Sequence, residues 1–281
     1  MTLLQQRSKS LSDDLEKFIS KLAKSVTEKG VHRLRTSIRR AETLVDYTKP
    51  RLGKKQQKAL DELHALRKRA GKVRDLDIQL GLLASVANRS ASADRRALNE
   101  ALKSKRARQA ERLASAIKKV QRSKFLDRLE RITAKAVADA VGAAEPLHAA
   151  QQELAELATE YSSRQMLKPA RLHDLRIKLK LLRYRAELAS ETLMQQEFIE
   201  QVKSVQDAIG EWHDWEMLAD NAEKQFGERI NCALLVEVRS LLAARFSAAT
   251  SAALGFLATC TVPGKKKPVS VQTTRAIAQS A

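Results

Sequence analysis

The stretch RLHDLRIKLKLLRYRAE at residues 171–187 contains one histidine and six lysines or arginines among regularly spaced leucines. Pro169 lies just upstream, where proline favours the first turn of a helix, so a helix beginning near Ala170 is predicted. At about 100° per residue, four leucines fall on one apolar stripe, namely Leu172, Leu175, Leu179 and Leu182. That stripe must pack inside a helical core.

The polar positions of this helix form a ridge of positive charge beside the leucines. His173, Lys180 and Glu187 lie on nearly one line, and Arg176 and Arg183 lie on the adjacent line. Surface helices usually alternate charges to form supporting pairs, whereas this helix is almost uniformly basic. Because such a ridge repels itself, an anionic ligand is the first functional hypothesis.

The whole chain is strongly basic. Its 281 residues carry 52 Lys+Arg against 33 Asp+Glu, a formal net charge of +19, and 43% of the residues are hydrophobic. That apolar fraction supports a folded core, and the charge indicates an acidic partner. Only 4% of residues are aromatic, which disfavours recognition of single-stranded nucleic acid by base stacking.

Composition also predicts an all-α fold. Nine glycines and five prolines in an Ala-, Leu-, Lys-, Arg- and Glu-rich chain favour helix nearly throughout, and no segment predicts a strand. Cys232 and Cys260 have no metal-binding or redox spacing and are expected to pack between helices. Neither a membrane span of roughly 20 apolar residues nor a signal peptide is predicted, so the expected location is the cytoplasm.

The basic ridge occurs twice. A first set of ridge residues recurs 141 residues downstream: His32, Arg35, Arg39 and Asp46 match His173, Arg176, Lys180 and Glu187. A second set recurs 139 residues downstream: Gly71, Arg74, Asp75 and Asp77 match Gly210, His213, Asp214 and Glu216. Two sets in the same order predict an internal duplication.

The duplication predicts two four-helix bundles related by a pseudo-twofold axis. The first repeat is placed at residues 11–142 and the second at 143–260, between a flexible N-terminus at 1–10 and a flexible basic tail at 261–281. The two ridges would either line one shared groove or pore, or lie on opposite flanks.

Glycines are interpreted as helix boundaries. Gly30 is expected to end the first helix, and Gly71 and Gly210 are each expected to precede a new one. The four acidic residues that follow would then cap helix N-termini and pair with ridge arginines: Asp75, Asp77, Asp214 and Glu216.

A row of cations at helical spacing suits a polyanion, which presents phosphates at short intervals. Arginine binds phosphate oxygens through two parallel hydrogen bonds, and lysine supplies a compact charge. The candidate row consists of Arg35, Arg39, Arg40, Arg176, Lys180 and Arg183. His32 and His173 stand at the head of each ridge, where an imidazole can donate to an oxyanion or hold a carboxylate.

A metal-dependent enzyme is one alternative. The order of His173, His213, Asp214 and Asp220 resembles the metal ligands of HD-type phosphohydrolases, which are also helical. Arg74 occupies the position of His213 in the first half, and arginine cannot ligate a cation. The repeated unit is therefore interpreted as metal-free, and no cofactor is predicted.

The two ridges carry a family resemblance. The segments VHRLRTSIRR at 31–40 and LHDLRIKLKLLRY at 172–184, each followed by the glycine and acidic motif, resemble the CHAD domain, the conserved histidine α-helical domain. The resemblance implies two four-helix bundles around a basic surface and a non-enzymatic function, the binding of inorganic polyphosphate, with an association with polyphosphate granules.

The ligand contacts that the resemblance implies lie on both ridges: His32, Arg35, Arg39, Arg40, His173, Arg176, Lys180 and Arg183. Arg74 of the second motif is added to this set as a further candidate. A general polyanion binder that contacts RNA or DNA through its backbone is the alternative that the ridges leave open.

Overall fold

The computed structural model describes residues 3–86, 92–121, 124–139, 145–163, 165, 167–227 and 232–260. Within these ranges the regular structure is helical, without a β-strand, which confirms the all-α prediction. The helices are α1 (Leu3–Lys24), α2 (Glu28–Thr48), α3 (Lys54–Ser85), α4 (Ser92–Gln121), α5 (Phe125–Asp139), α6 (Pro146–Glu160), α7 (Pro169–Ala186), α8 (Leu193–Phe226) and α9 (Ala233–Cys260).

Buried side chains form three apolar clusters. The first joins α1, α2 and α5 with the start of α3 and the end of α4. The second joins α6 and α7 with the start of α8 and the end of α9. The third holds the other halves of α3, α4, α8 and α9 together, with Leu83 and Leu98 beside Leu218 and Leu234. Long helices that each serve two clusters therefore connect the two halves of the chain.

The duplication remains a prediction. The boundary proposed between residues 142 and 143 falls among residues 140–144, which lie outside the described part of the chain, as does the basic tail at 261–281. The first two clusters divide the described helices much as the predicted repeats do, but the first draws on five helices, α1–α5, and the second on four, α6–α9.

The leucine stripe of α7 is completely buried. Leu172, Leu175, Leu179 and Leu182 all have 0% exposure, and Pro169 occupies the first turn as predicted. Burial of one such side chain contributes about 1.5–3 kcal/mol. The apolar stripe holds α7 in the second cluster, and the basic ridge lies directly beside it, partly buried.

Two predicted boundaries near the N-terminus were wrong. Residues 3–10, which were predicted to be a flexible N-terminus, belong to α1. Leu4 packs against the first cluster and Ser8 is buried, so tertiary contacts stabilise this part of the helix. Gly30 lies inside the first turn of α2, where its N–H donates to Oγ1 of the capping Thr27 at 3.2 Å. The capping threonine, not the glycine, marks the boundary.

The boundaries predicted at Gly71 and Gly210 were also wrong. Gly71 lies within the 32 residues of α3, and Gly210 within the 34 residues of α8. The acidic residues that follow therefore cannot cap helix N-termini. In both helices the glycine lies beside an arginine of the neighbouring ridge, so each glycine provides space for a side chain.

α9 is more apolar than the sequence interpretation allowed. In the described ranges it is the one helix that is long and apolar enough to cross a membrane, with a mean hydropathy of 1.5 and 22% of that window buried. A single helix of this kind is weak evidence for a membrane span, because core helices of soluble proteins pass the same test. Here Ala249, Ala253 and Leu257 of α9 pack into the second cluster.

Candidate polyanion-binding groove

The two basic ridges meet. α2 packs against α7, and α3 packs against α8. Between them lies a cavity of about 460 Å³, which we call the central groove. Its lining includes six of the nine predicted site residues: His32, Arg35, Arg39, Arg176, Lys180 and Arg183. Of the two arrangements that the sequence left open, the structure shows one shared groove.

Arg35 and Arg176 occupy equivalent positions on α2 and α7. Each is half-buried, and the Nε atom of each is buried without a hydrogen-bond partner among the described residues. A Cβ atom built on Gly71 would lie 3.6 Å from Nε of Arg35, and one built on Gly210 would lie 3.6 Å from Nε of Arg176. The two sequence motifs that recur in each half are therefore in contact in each half.

Four cations of the groove lack a carboxylate partner within ion-pair distance in the described part of the chain. They are Arg35, Arg39, Arg176 and Lys180, hereafter the four unpaired cations. Burial, together with the nearby charges of Arg176, Arg35 and Arg39, lowers the pKa of Lys180 to about 7. Unpaired charge in a partly buried site is unfavourable unless a counter-charge binds.

Two carboxylates moderate this positive charge without forming ion pairs. Burial raises the pKa of Asp75 and of Asp214, while Arg176 and Lys180 act on both in the opposite direction. Asp214 lines the groove itself. The predicted pairing of these acids with ridge arginines was therefore wrong for the described residues: Asp75 and Asp214 act on the ridge cations only at longer range, while Asp77 pairs with Arg106 and Glu216 lies 3.1 Å from His213.

Three predicted contacts lie outside the lining of the central groove. Arg40 donates from Nε to Oε2 of Glu187 at 2.7 Å, and Arg74 pairs with Glu28. His173 instead packs against His213, with ring centroids 4.6 Å apart and the rings tilted by 56°. These side chains remain candidates for an extended ligand, but they do not line the cavity that holds the unpaired cations.

The histidines bring little charge to the site. Burial, then Arg74 and Arg35, lowers the pKa of His32, and burial, then Arg176 and Lys180, lowers that of His173. The pKa of His213 falls to about 3 for the same reasons, with burial the largest cause. Neutral imidazoles at pH 7 can donate one N–H to an oxyanion but add no Coulombic attraction.

The geometry does not suit a metal centre. Nδ1 of His213 is 3.1 Å from Oε2 of Glu216, and no group of three or more His, Cys, Asp or Glu side chains in the described ranges could hold a metal ion. The arginine and lysine beside His213 would also repel a cation. The residues therefore do not fit the alternative of a metal-dependent phosphohydrolase.

Sequence reasoning missed the contribution of α8. Lys203 and Gln206 line the groove, and the buried Gln206 amide donates to the carbonyl of Leu179 at 2.6 Å, which fixes α8 against α7. Lys203 lies seven residues before Gly210 and so on the same helix face. The spacing is visible in the sequence, but the predicted helix boundary at Gly210 placed Lys203 on a different helix from the residues that follow the glycine.

The sequence matches the CHAD domain family over residues 10–223. The chain belongs to the CHAD domain family. Its structure is similar to the crystal structure of the CHAD domain from the plant Ricinus communis, with a TM-score of 0.63, 18% identity and 89% of each chain covered. At that identity the likeness shows a shared fold. The comparison with curated proteins finds no match for this sequence.

Proposed function

We propose that this CHAD domain binds inorganic polyphosphate in the central groove and catalyses no reaction. The observation that carries the proposal is the set of four unpaired cations, which two helices bring to one cavity. A chain of phosphates supplies the counter-charge that these residues lack inside the protein. Membership of the CHAD family, which is linked to polyphosphate, supports the same ligand.

The groove suits a thin, flexible polyanion. The guanidinium groups of Arg35 and Arg176 can each bind two phosphate oxygens, and Lys180 adds a further charge to the same cavity. No base has to be accommodated, which agrees with the few aromatic residues. We place the protein in the cytoplasm, at polyphosphate granules, as part of this proposal.

Nucleic acid is the competing ligand. A duplex carries its phosphates on a rigid, wide surface and would reach the exposed rim of the groove, such as Lys203, more easily than the half-buried cations. We therefore expect binding to duplex DNA or RNA to be weaker and to depend on the rim. In competition experiments, polyphosphate should displace bound nucleic acid at a low concentration of phosphate groups. Nucleic acid should displace bound polyphosphate only at a far higher concentration of phosphate groups.

A pair of double variants of α7 tests the proposal at constant net charge. Arg176→Gln with Lys180→Gln removes two unpaired cations, and Arg171→Gln with Lys178→Gln removes two cations that instead pair with Glu160. We expect the first variant to lose retention on immobilised polyphosphate and the second to keep it. Equal losses in both variants, with helical circular dichroism preserved, would show that binding reflects net charge alone.

A further inference from the structure

Each basic ridge ends in a carboxylate. Asp46 follows His32 on α2 at the same spacing as Glu187 follows His173 in the α7 segment. Each carboxylate lies in a cavity of about 410 Å³ next to the central groove. The cavity of Glu187 shares Tyr184 with the groove, and that of Asp46 shares Arg39. The positive surface is thus continuous with a side cavity at either end.

Glu187 pairs with two members of the predicted cation row. Its Oε2 accepts from Nε of Arg40 at 2.7 Å, and its Oε1 lies 3.6 Å from Nε of Arg183. The side chains of Glu187 and Arg183 are only 19% and 18% exposed. Water screens these charges less than it would at an open surface, so the carboxylate competes effectively with an incoming phosphate.

One further cation lies beyond Glu187, next to the carboxylates Asp14 and Glu191. Arg7 lines the same side cavity, 3.9 Å from Glu191. Without the charge of Glu187, positive side chains would follow one another from the central groove through Arg183 and Arg40 towards Arg7. With it, the unpaired charge stops at the groove.

The side cavity of Asp46 is lined by further carboxylates as well. The cavity of Asp46 also contains Glu42, whose Oε2 lies 2.6 Å from Nε of Arg67. Its lining includes Asp61 as well. An anionic chain that extends past Arg39 therefore meets carboxylates at this end too.

We propose that Glu187 limits the length of polyphosphate that the site holds, by keeping Arg40 and Arg183 paired so that only a short segment is bound strongly in the central groove. This inference rests on the proposed function and adds a specificity-determining residue to it. Once a polyphosphate is long enough to fill the central groove, lengthening it further should therefore raise the affinity of the wild-type protein for each chain only slightly.

The test compares wild-type protein with Glu187→Gln against tripolyphosphate and against size-fractionated short and long polyphosphate. The matched control is Glu160→Gln, because Glu160 also pairs with two cations of α7, Arg171 and Lys178, outside the groove. Dissociation constants are measured at several salt concentrations and expressed per chain. Glu187→Asp, which keeps the charge but shortens its reach, provides a second variant at the same position.

We expect Glu187→Gln to bind long chains about tenfold more tightly and tripolyphosphate almost unchanged. Two released cations should also steepen the slope of log affinity against log salt by about 1.4 for long chains only. Glu187→Asp should show a smaller effect in the same direction, and Glu160→Gln should match wild type.

An equal gain for tripolyphosphate and long chains would overturn the inference, since it would mean a general charge effect. The same length dependence in wild type and both Glu187 variants would overturn it as well, while leaving polyphosphate binding intact. Failure of the wild-type protein to bind any chain would instead refute the proposed function on which the inference rests.

Discussion

Arg176 of α7 lies against the backbone of α8 at Gly210, with its Nε 3.6 Å from the position that a Cβ atom would take there. That distance is an ordinary van der Waals contact, so alanine would fit, but a longer side chain would meet the guanidinium group. A glycine inside a helix costs up to about 1 kcal/mol relative to alanine. The close approach explains why α8 carries no side chain longer than that of alanine at this position.

Gly210→Leu should therefore displace Arg176 and weaken polyphosphate binding by about tenfold, equivalent to about 1.4 kcal/mol. Isothermal titration gives the dissociation constant.

The control is Gly81→Leu, since Gly81 is an exposed glycine of α3 with nothing within 4 Å of its Cβ position. That variant should keep its affinity and gain about 0.5–1 kcal/mol of stability from helix propensity. Unchanged affinity in Gly210→Leu would contradict a positioning role for the glycine.

Binding should take up protons, because the pKa of Lys180 is about 7 in the free protein and a bound anion would raise it. Affinity is then greatest below pH 7 and declines as pH rises from 7 to 9, where free Lys180 is increasingly neutral. His32 and His173, with pKa values below 6.5, stay neutral across that range. Titration calorimetry in buffers of different ionisation enthalpy measures the proton uptake.

Lys180→Arg provides the control for this pH dependence. Arginine keeps its charge throughout the range, so the decline in affinity between pH 7 and 9 should become smaller. If wild type and variant lose affinity in parallel, another group carries the proton.

Much of the fold and part of the site were predictable from the sequence. The leucine period of α7 predicted its buried face, since every member of the stripe is fully buried. The recurrence of the two ridges predicted six of the residues that line the central groove, although His173 itself lies outside that lining. Helical spacing alone identified these positions, because side chains three or four residues apart share one face of a helix.

The errors have a common physical cause. Gly71 and Gly210 were interpreted from local propensity as helix ends, whereas a side chain from another helix explains them. The pairing of Arg40 with Glu187 joins residues 147 positions apart, which no local pattern indicates. Sequence periodicity shows which face a residue occupies, but not which charge faces it across a helix interface.

Lys180 should reduce the stability of the free protein. Its pKa in the folded state is lowered to about 7 from 10.5, so the folded protein binds fewer protons between those values and stability rises with pH across that window. Lys180→Met removes the buried charge and should raise the free energy of unfolding by about 1 kcal/mol at pH 6. Urea unfolding at pH 6 and pH 10 should show the gain shrinking at the higher pH. A variant less stable than wild type at pH 6 would mean that Lys180 has a stabilising partner.

The affinity for long polyphosphate should fall steeply with salt, because each phosphate neutralised by the protein releases a counterion. With four unpaired cations in the groove and about 0.7 released per contact, as for single-stranded nucleic acids, the slope of log affinity against log salt should be about −3. A tenfold rise in salt would then weaken binding about a thousandfold.

Removal of two of these cations in Arg176→Gln with Lys180→Gln should halve the slope, measured by fluorescence anisotropy of end-labelled polyphosphate. The control Arg171→Gln with Lys178→Gln should keep the wild-type slope, since Glu160 and Asp174 already pair with those two side chains. An unchanged slope in the first variant would place the bound phosphates elsewhere on the basic surface.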